Sequence, residues 1–193
     1  MKIIYTSALI CKLFNERKDE YIKSYNTLKN ILDASNISIV ECFLSEQKTF
    51  LNDLKKEVFY SGKHINVNNK GVNEVLALKE FIKTLNYSDD EIIIKLTGRY
   101  LFLSSFFIEN INKNSQYDIF VRNGVDNQFF CGCFAMKFKF FKEFINNINT
   151  EDMIKNNVSL ERELYNYSIC RNLKVYEKID VYSNINNETE FIW

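Results

Sequence analysis

Apolar residues recur along this chain in two patterns, which together predict an ordered series of strands and helices. Short runs rich in β-branched and aromatic residues are typical of buried strands, whereas apolar residues three or four positions apart indicate the inner face of a helix. The predicted strands are 2–7, 37–43, 58–60, 91–96, 117–122, 129–136 and 172–182. The predicted helices are 15–33, 45–56, 69–85, 104–112, 138–148 and 159–170.

The alternation of strand and helix favours an α/β sandwich with a central, mostly parallel sheet between helices. A length of 193 residues predicts a single domain, 1–193. Ligands of such sheets bind beyond the carboxyl ends of the strands. Ser7, Ser61 and the stretch 97–99 each follow a predicted strand, so we expect them to meet in one crevice.

Composition excludes several classes of protein. Lys+Arg and Asp+Glu are both 25, and a formal net charge of zero argues against binding to nucleic acid. The chain has five scattered cysteines and a single histidine, His64. This set argues against a disulfide framework and against a zinc site. Reduced thiols are therefore expected, and Cys131-Gly132-Cys133 is interpreted as core packing because cysteine is commonly buried.

The chain contains no apolar run long enough to cross a bilayer. Its first residues also lack the apolar segment of a secretion signal. The sequence therefore predicts a cytoplasmic protein, with the inner face of a membrane as a second location.

The turn Asn69-Lys70-Gly71 is a candidate ligand site because it opens a predicted helix with a cation and a glycine. Helix amino termini attract anions, and glycine lets a ligand approach the backbone closely. Glu74 lies one turn further on. The alternative is structural, since asparagine is a good N-cap and an acidic residue suits the first turn of a helix.

The end of the strand 91–96 is a second candidate site. Lys95, Thr97 and Arg99 alternate, which places them on one side if the strand continues, and Gly98 would leave room for a ligand. A guanidinium and an ammonium beside a glycine suit an anion such as a diphosphate. For Arg99 the alternative is an ion pair, for example with Glu74.

The two candidate sites together resemble those of GT-A-type glycosyltransferases, particularly small bacterial and viral surface-glycan sugar transferases. In that family an Asn-x-Gly turn opens a helix, and the next strand usually ends in an Asp-x-Asp metal motif. Here Asn69-Lys70-Gly71 matches the turn, and Lys95-Leu96-Thr97-Gly98-Arg99-Tyr100 stands in place of Asp-x-Asp. The resemblance implies a GT-A-like (Rossmann-like) sandwich, with a nucleotide-sugar-binding half at 1–103 and an acceptor half at 104–193.

The missing Asp-x-Asp motif changes the expected phosphate chemistry. A divalent cation usually neutralises the leaving diphosphate. In this chain Lys95 and Arg99 are expected to neutralise the diphosphate instead. The prediction is therefore an activity that needs no metal, and the alternative is an activity that uses Mn²⁺ or Mg²⁺. The resemblance also implies that Thr6 and Ser7, beyond the first strand, lie near the nucleotide base.

Glu161, at the start of the helix 159–170, is the candidate general base that takes the proton of an acceptor hydroxyl. Glu163 and Asp126 are rivals, and acid in a first helical turn is also expected from the helix dipole alone.

The resulting prediction is a glycosyltransferase that moves a sugar from a nucleotide-sugar donor to a glycan or lipid-linked acceptor, with no other cofactor. A chain of this size has little room for an acceptor domain, so a homodimer or peripheral contact with a membrane are further expectations. The alternatives are a nucleotidyltransferase, a non-catalytic module that binds glycan or protein, and a glycosyltransferase acting on DNA bases, which the neutral charge disfavours.

Overall fold

The computed structural model describes residues 1–9, 14–43, 48–62, 65, 68–184 and 190–192. Cys11 and His64 lie outside these residues. The strands are β1 (Lys2–Ser7), β2 (Ile37–Glu41), β3 (Val58–Tyr60), β4 (Ile92–Thr97), β5 (Tyr100–Phe102), β6 (Ile119–Arg122), β7 (Cys133–Lys137), β8 (Leu173–Tyr176), β9 (Val181–Asn184) and β10 (Glu190–Ile192). The helices are α1 (Phe14–Lys29), α2 (Leu51–Leu54), α3 (Lys70–Phe81), α4 (Phe106–Lys113), α5 (Phe138–Asn147), α6 (Thr150–Lys155) and α7 (Leu160–Ser168).

The central sheet has seven strands in the described part of the chain, in the order β3-β2-β1-β4-β7-β6-β8. Only β7 runs against the others, because it pairs antiparallel with both β4 and β6. The predicted α/β sandwich with a mostly parallel sheet is therefore confirmed. A second sheet pairs β10 with β9 and β9 with β5, all antiparallel.

Strand alternation divides the core between the two faces of the central sheet. In β4, Ile93 packs on the face covered by α3 and α5, whereas Ile94 and Leu96 pack on the face covered by α1 and α4. Lys95 and Thr97 share the parity of Ile93 and so belong to the α3 face. This register places the polar end of β4 beside the first turn of α3.

Several predicted elements differ from the structure. The helix expected over 45–56 is helical only at Leu51–Leu54 among its described residues. In the turn before it, Asn52 Oδ1 accepts from the Thr49 amide and the Thr49 hydroxyl accepts from the Leu51 amide. The single strand expected over 172–182 is two strands in different sheets, β8 and β9, separated where Asp180 adopts a positive φ of 52°. The sequence did not indicate the short strands β5 and β10 or the helix α6.

None of the helices in the described part of the chain has both the length and the apolar character needed to cross a membrane.

Candidate functional site

A cavity of about 260 Å³ opens at the carboxyl ends of β1 and β4. The first turns of α3 and α7 close its opposite wall. Residues from both halves of the chain therefore face one space. Its lining comprises Thr6, Ser7, Ala8, Arg17, Tyr21, Cys42, Phe43, Asn69, Lys70, Gly71, Glu74, Thr97, Arg99, Tyr100, Cys131, Gly132, Ser159, Leu160 and Glu161.

The cavity brings together all the predicted site residues except three, Lys95, Gly98 and Ser61. Lys95 and Gly98 lie behind its wall, and the predicted crevice residue Ser61 is elsewhere, where its hydroxyl donates to Glu80 (3.0 Å). Of the three candidate bases, Glu161 lines the cavity, whereas Glu163 and Asp126 do not.

Lys95 is fully buried and forms an ion pair with Glu74. Its Nζ lies 2.8 Å from Glu74 Oε1, and Thr6 Oγ1 donates to the same oxygen at 2.5 Å. Burial by itself lowers the pKa of Lys95, but the Glu74 carboxylate raises it, and the net pKa is above the ordinary value. The lysine is therefore a fixed internal cation at neutral pH.

The three donors of the Lys95 ammonium all have partners. Besides Glu74, Nζ donates to Thr97 Oγ1 (2.7 Å) and to the Cys131 carbonyl (2.8 Å). Because an ammonium has only three donors, none remains for a ligand in this arrangement. The direct contact with a diphosphate that the sequence suggests for Lys95 would require one of these bonds to break.

Arg99, in contrast, lines the cavity without a carboxylate partner among the described residues. Its Nη2 donates to the Tyr100 hydroxyl at 3.3 Å, and its guanidinium carbon lies 5.2 Å from the Tyr100 ring centroid. Its buried Nε has no hydrogen-bond partner in the described part of the chain. The ion pair with Glu74 that the sequence left as an alternative does not form, since Glu74 pairs with Lys95.

The Asn69-Lys70-Gly71 turn joins α3 to the two helices that follow α5. Asn69 Oδ1 accepts from the Gly71 amide (3.2 Å), and its Nδ2 donates to the Val158 carbonyl (2.7 Å). A Cβ on Gly71 would lie 3.3 Å from Leu160 Cβ, so glycine permits the close approach of α3 and α7. Asn69 therefore has the structural role of an N-cap, while Lys70 is exposed at the cavity.

Ser7 is held by a buried carboxylate. Glu41 Oε2 accepts from Ser7 Oγ (2.5 Å), and Glu41 Oε1 accepts from the amides of Leu9 (3.1 Å) and Phe43 (3.0 Å). Glu41 thus fixes the chain beyond both β1 and β2, where Ser7 and Phe43 line the cavity. Sequence reasoning did not assign this function to Glu41, since nothing in one strand indicates the amides that meet it.

Gly98 is packed beneath two tyrosine rings. A Cβ at this position would lie 2.5 Å from Tyr5 and 2.6 Å from Tyr21. The Tyr5 hydroxyl is within hydrogen-bond distance of the carbonyls of Gly98 (2.7 Å) and Tyr21 (2.8 Å). The space beside Gly98 is therefore filled by protein, in contrast to the room for a pyrophosphate expected from the sequence.

Gly98→Ala is expected to lower the free energy of unfolding by about 1–3 kcal/mol, because the added methyl group overpacks a fully buried ring. Gly62→Ala is the matched control, since a Cβ there meets nothing within 4 Å. Its effect should stay within about 0.5 kcal/mol. Urea denaturation of both variants measures the difference, and equal stabilities would contradict the packing role of Gly98.

Glu161 lies in the first turn of α7, which Ser159 caps by accepting from the Arg162 amide (3.2 Å). Its Oε1 accepts a hydrogen bond from Cys131 Sγ at 2.7 Å. Cys131 is half-buried at the cavity wall, whereas Cys133 is fully buried. The core-packing interpretation therefore holds for Cys133, whereas Cys131 packs against the edge of the core and also lines the cavity.

Among the lining residues that sequence reasoning missed are Arg17, Tyr21 and Cys131. Arg17 and Tyr21 are one turn apart on α1, and only the packing of that helix turns them toward the strand ends. Within the described residues, no three His, Cys, Asp or Glu side chains come together as they would to hold a metal ion.

Comparisons with known proteins give a fold and no family. No protein-family model matches the chain, and no curated protein sequence matches it. The fold is similar to that of the galactosyltransferase LgtC, whose structure contains donor and acceptor sugar analogues (TM-score 0.54, 9% identity, covering 91% of this chain and 73% of LgtC).

Two further structures share the fold. One is a cytidylyltransferase from Leptospira borgpetersenii (TM-score 0.56, 10% identity, covering 97% of this chain and 77% of that one). The other is a glycosyltransferase involved in glycosylation of the major capsid of PBCV-1 (TM-score 0.52, 8% identity, covering 92% and 82%). At these identities the likeness establishes a GT-A-like fold, which proteins of more than one activity share.

Proposed function

We propose that this protein is a glycosyltransferase that moves a sugar from a nucleotide-sugar donor to a hydroxyl of a glycan or lipid-linked acceptor. The observation that carries the proposal is the cavity at the strand ends, where two groups line the same space. One is Arg99, which has no carboxylate partner among the described residues, and the other is the carboxylate of Glu161. The fold supports the proposal, because similar structures include two glycosyltransferases.

Arg99 and Lys70 are the groups that would hold the diphosphate. A guanidinium can bind phosphate oxygens through two parallel hydrogen bonds, and its cost of desolvation is low compared with that of an ammonium. Arg17, from α1, adds a third cation to the lining. Lys95 would contribute indirectly, by holding Glu74 and Thr97 in place.

Glu161 would accept the proton of the acceptor hydroxyl. The hydroxyl oxygen forms a bond to the anomeric carbon as the bond from that carbon to the donor phosphate breaks, and the nucleoside diphosphate leaves with the electron pair. The carboxylate removes the positive charge that would otherwise build up on the attacking oxygen. Cations around the phosphate stabilise the leaving group.

We propose that this reaction needs no divalent metal. Arg99 would supply at the end of β4 the charge that a metal bound to Asp-x-Asp supplies in the family that the sequence resembles. Loss of activity in EDTA, with recovery in Mn²⁺ or Mg²⁺, would overturn this part of the proposal.

Thermal shift against a panel of nucleotides and nucleotide sugars tests the donor class. A ligand that binds only the folded protein raises Tm by mass action. We expect a nucleotide sugar to raise Tm in EDTA, and Arg99→Ala to weaken its affinity by about 10–100-fold, as loss of a charge-assisted bidentate contact would.

Arg171→Ala is the control, because Arg171 pairs with Glu143 (2.7 Å) at the surface and does not line the cavity. Its ligand-induced shift should equal that of the wild type. A panel that produces no shift in any variant would favour the non-catalytic module. A shift that is unchanged in Arg99→Ala would remove Arg99 from the phosphate site.

A nucleotidyltransferase is the second candidate, favoured by the likeness to a cytidylyltransferase. The two functions differ in product: a nucleotidyltransferase releases pyrophosphate from a nucleoside triphosphate, and a glycosyltransferase releases a nucleoside diphosphate. Product analysis by anion-exchange chromatography separates them.

A further inference from the structure

Cys131 and Glu161 are 30 residues apart in sequence and meet at the wall of the cavity. Cys131 Sγ lies 2.7 Å from Glu161 Oε1, and both residues line the space. We propose that Cys131 is a positioning residue, which holds the Glu161 carboxylate in place by donating its thiol hydrogen bond. The inference rests on the proposed function of Glu161 as the proton acceptor.

The backbone at Cys131 is anchored through its carbonyl and through the residue that follows. Its carbonyl accepts from the fully buried Lys95 ammonium at 2.8 Å. The next residue, Gly132, lies so close to Tyr100 and Phe130 that a Cβ would approach their rings to 2.6 and 2.4 Å. A thiol on such a fixed segment offers a donor in a defined direction, which a mobile side chain would not.

The thiol also stays protonated, as a donor must. Burial raises the pKa of Cys131 well above its ordinary value; the Lys95 ammonium lowers it, and the carboxylates of Glu161 and Glu74 raise it again. These three charged groups face the thiol from β4, α7 and α3. At neutral pH the proton remains on sulfur and is available to Glu161.

The hydrogen bond connects the two ends of a larger polar chain. Glu74 and Thr97 bind the Lys95 ammonium, the ammonium binds the Cys131 carbonyl, and the Cys131 thiol binds Glu161. The phosphate side of the cavity and the proposed base therefore share one rigid support. Displacing Cys131 should affect the position of the base more than the binding of the donor.

The contact can be tested without any substrate by alkylation with iodoacetamide, since the thiolate is the reactive form. In Glu161→Gln, loss of the carboxylate charge should make Cys131 react about 10-fold faster at pH 8, equivalent to one pKa unit. Peptide mass spectrometry measures the rate of alkylation at Cys131. The exposed Cys170 in the same sample is the internal control for the reactivity of the reagent. Glu163→Gln, on the same helix but outside the cavity, should leave the rate unchanged.

The positioning role is tested by turnover. Cys131→Ala should lower kcat by about 10–100-fold with KM for the donor unchanged, because a small misplacement of a catalytic group is costly. Cys131→Ser keeps a donor and should retain kcat within about threefold of the wild type. Urea denaturation of both variants shows whether each is folded.

Two outcomes would overturn the inference: identical alkylation of wild type and Glu161→Gln, or an unchanged kcat in Cys131→Ala. Failure of the proposed function has a different signature. In that case no nucleotide sugar is turned over by the wild type, while the alkylation rates still report whether the thiol and the carboxylate are in contact.

Discussion

Replacing Glu161 by glutamine is expected to lower kcat by about 10²–10⁴-fold, the usual contribution of a general base. Glutamine keeps an oxygen that can accept from the Cys131 thiol, so the local structure is preserved while the proton acceptor is lost. Donor binding should be unchanged, because the proposed phosphate ligands are the cations Arg99 and Lys70, which the substitution leaves in place. Release of nucleoside diphosphate, with water or a panel of saccharides as acceptor, measures the rate.

Glu163→Gln and Asp126→Asn are the controls for this prediction. Glu163 is on the same helix, where burial raises the pKa of its carboxyl, and Asp126 lies in the turn beyond β6 with a positive φ of 51°. Neither lines the cavity, so each variant should keep its kcat. A large loss in either one, with Glu161→Gln still active, would assign the base differently.

Glu74→Ala is expected to lower the free energy of unfolding by about 3–5 kcal/mol, the cost of leaving a buried charge without its partner. The Lys95 side chain is only 1% exposed, so its charge depends on the Glu74 carboxylate for compensation. Thr6 loses its acceptor as well. Urea denaturation measures the change, and the m-value tests whether unfolding remains two-state.

The ion pair between Lys142 and Asp89 provides a matched control at the surface. Its separation is 3.0 Å, close to that of the buried pair, but the two side chains are 40% and 66% exposed. Asp89→Ala should cost no more than about 1 kcal/mol. In addition, Glu74→Ala combined with Lys95→Met should be more stable than Glu74→Ala alone, since the orphaned charge is gone. Equal costs for Glu74→Ala and Asp89→Ala would contradict the account of the buried pair.

Strand β4 shows what can be predicted from local sequence patterns and what cannot. Its apolar run predicts a buried central strand, and alternation correctly places Lys95 and Thr97 on one side. The same rules do not give the partners of Lys95, because Glu74 and Cys131 come from elements that pack against β4 only in the folded chain. From the sequence alone, a lysine that binds a ligand cannot be distinguished from a lysine that is buried beside a glutamate.

The two glycines singled out from the sequence illustrate the same limit. A scarce glycine indicates a close approach but does not identify the group that approaches. At Gly71 that group is Leu160 of α7, and at Gly98 it is the rings of Tyr5 and Tyr21. Both contacts join residues that are far apart in sequence, so neither periodicity nor turn chemistry could indicate them.

By itself the sequence determined the fold class, the central place of β4, and about half of the residues that line the cavity. It could do so because strand parity, helix periodicity and the rule that parallel strands end at one edge are local or topological properties. The tertiary structure alone decided that Lys95 is paired with Glu74, that Arg99 is left without a carboxylate among the described residues, and that the thiol of Cys131 meets Glu161. These contacts form between side chains of elements that are distant in sequence. Which of them come within hydrogen-bond distance is determined by the close packing of the folded chain.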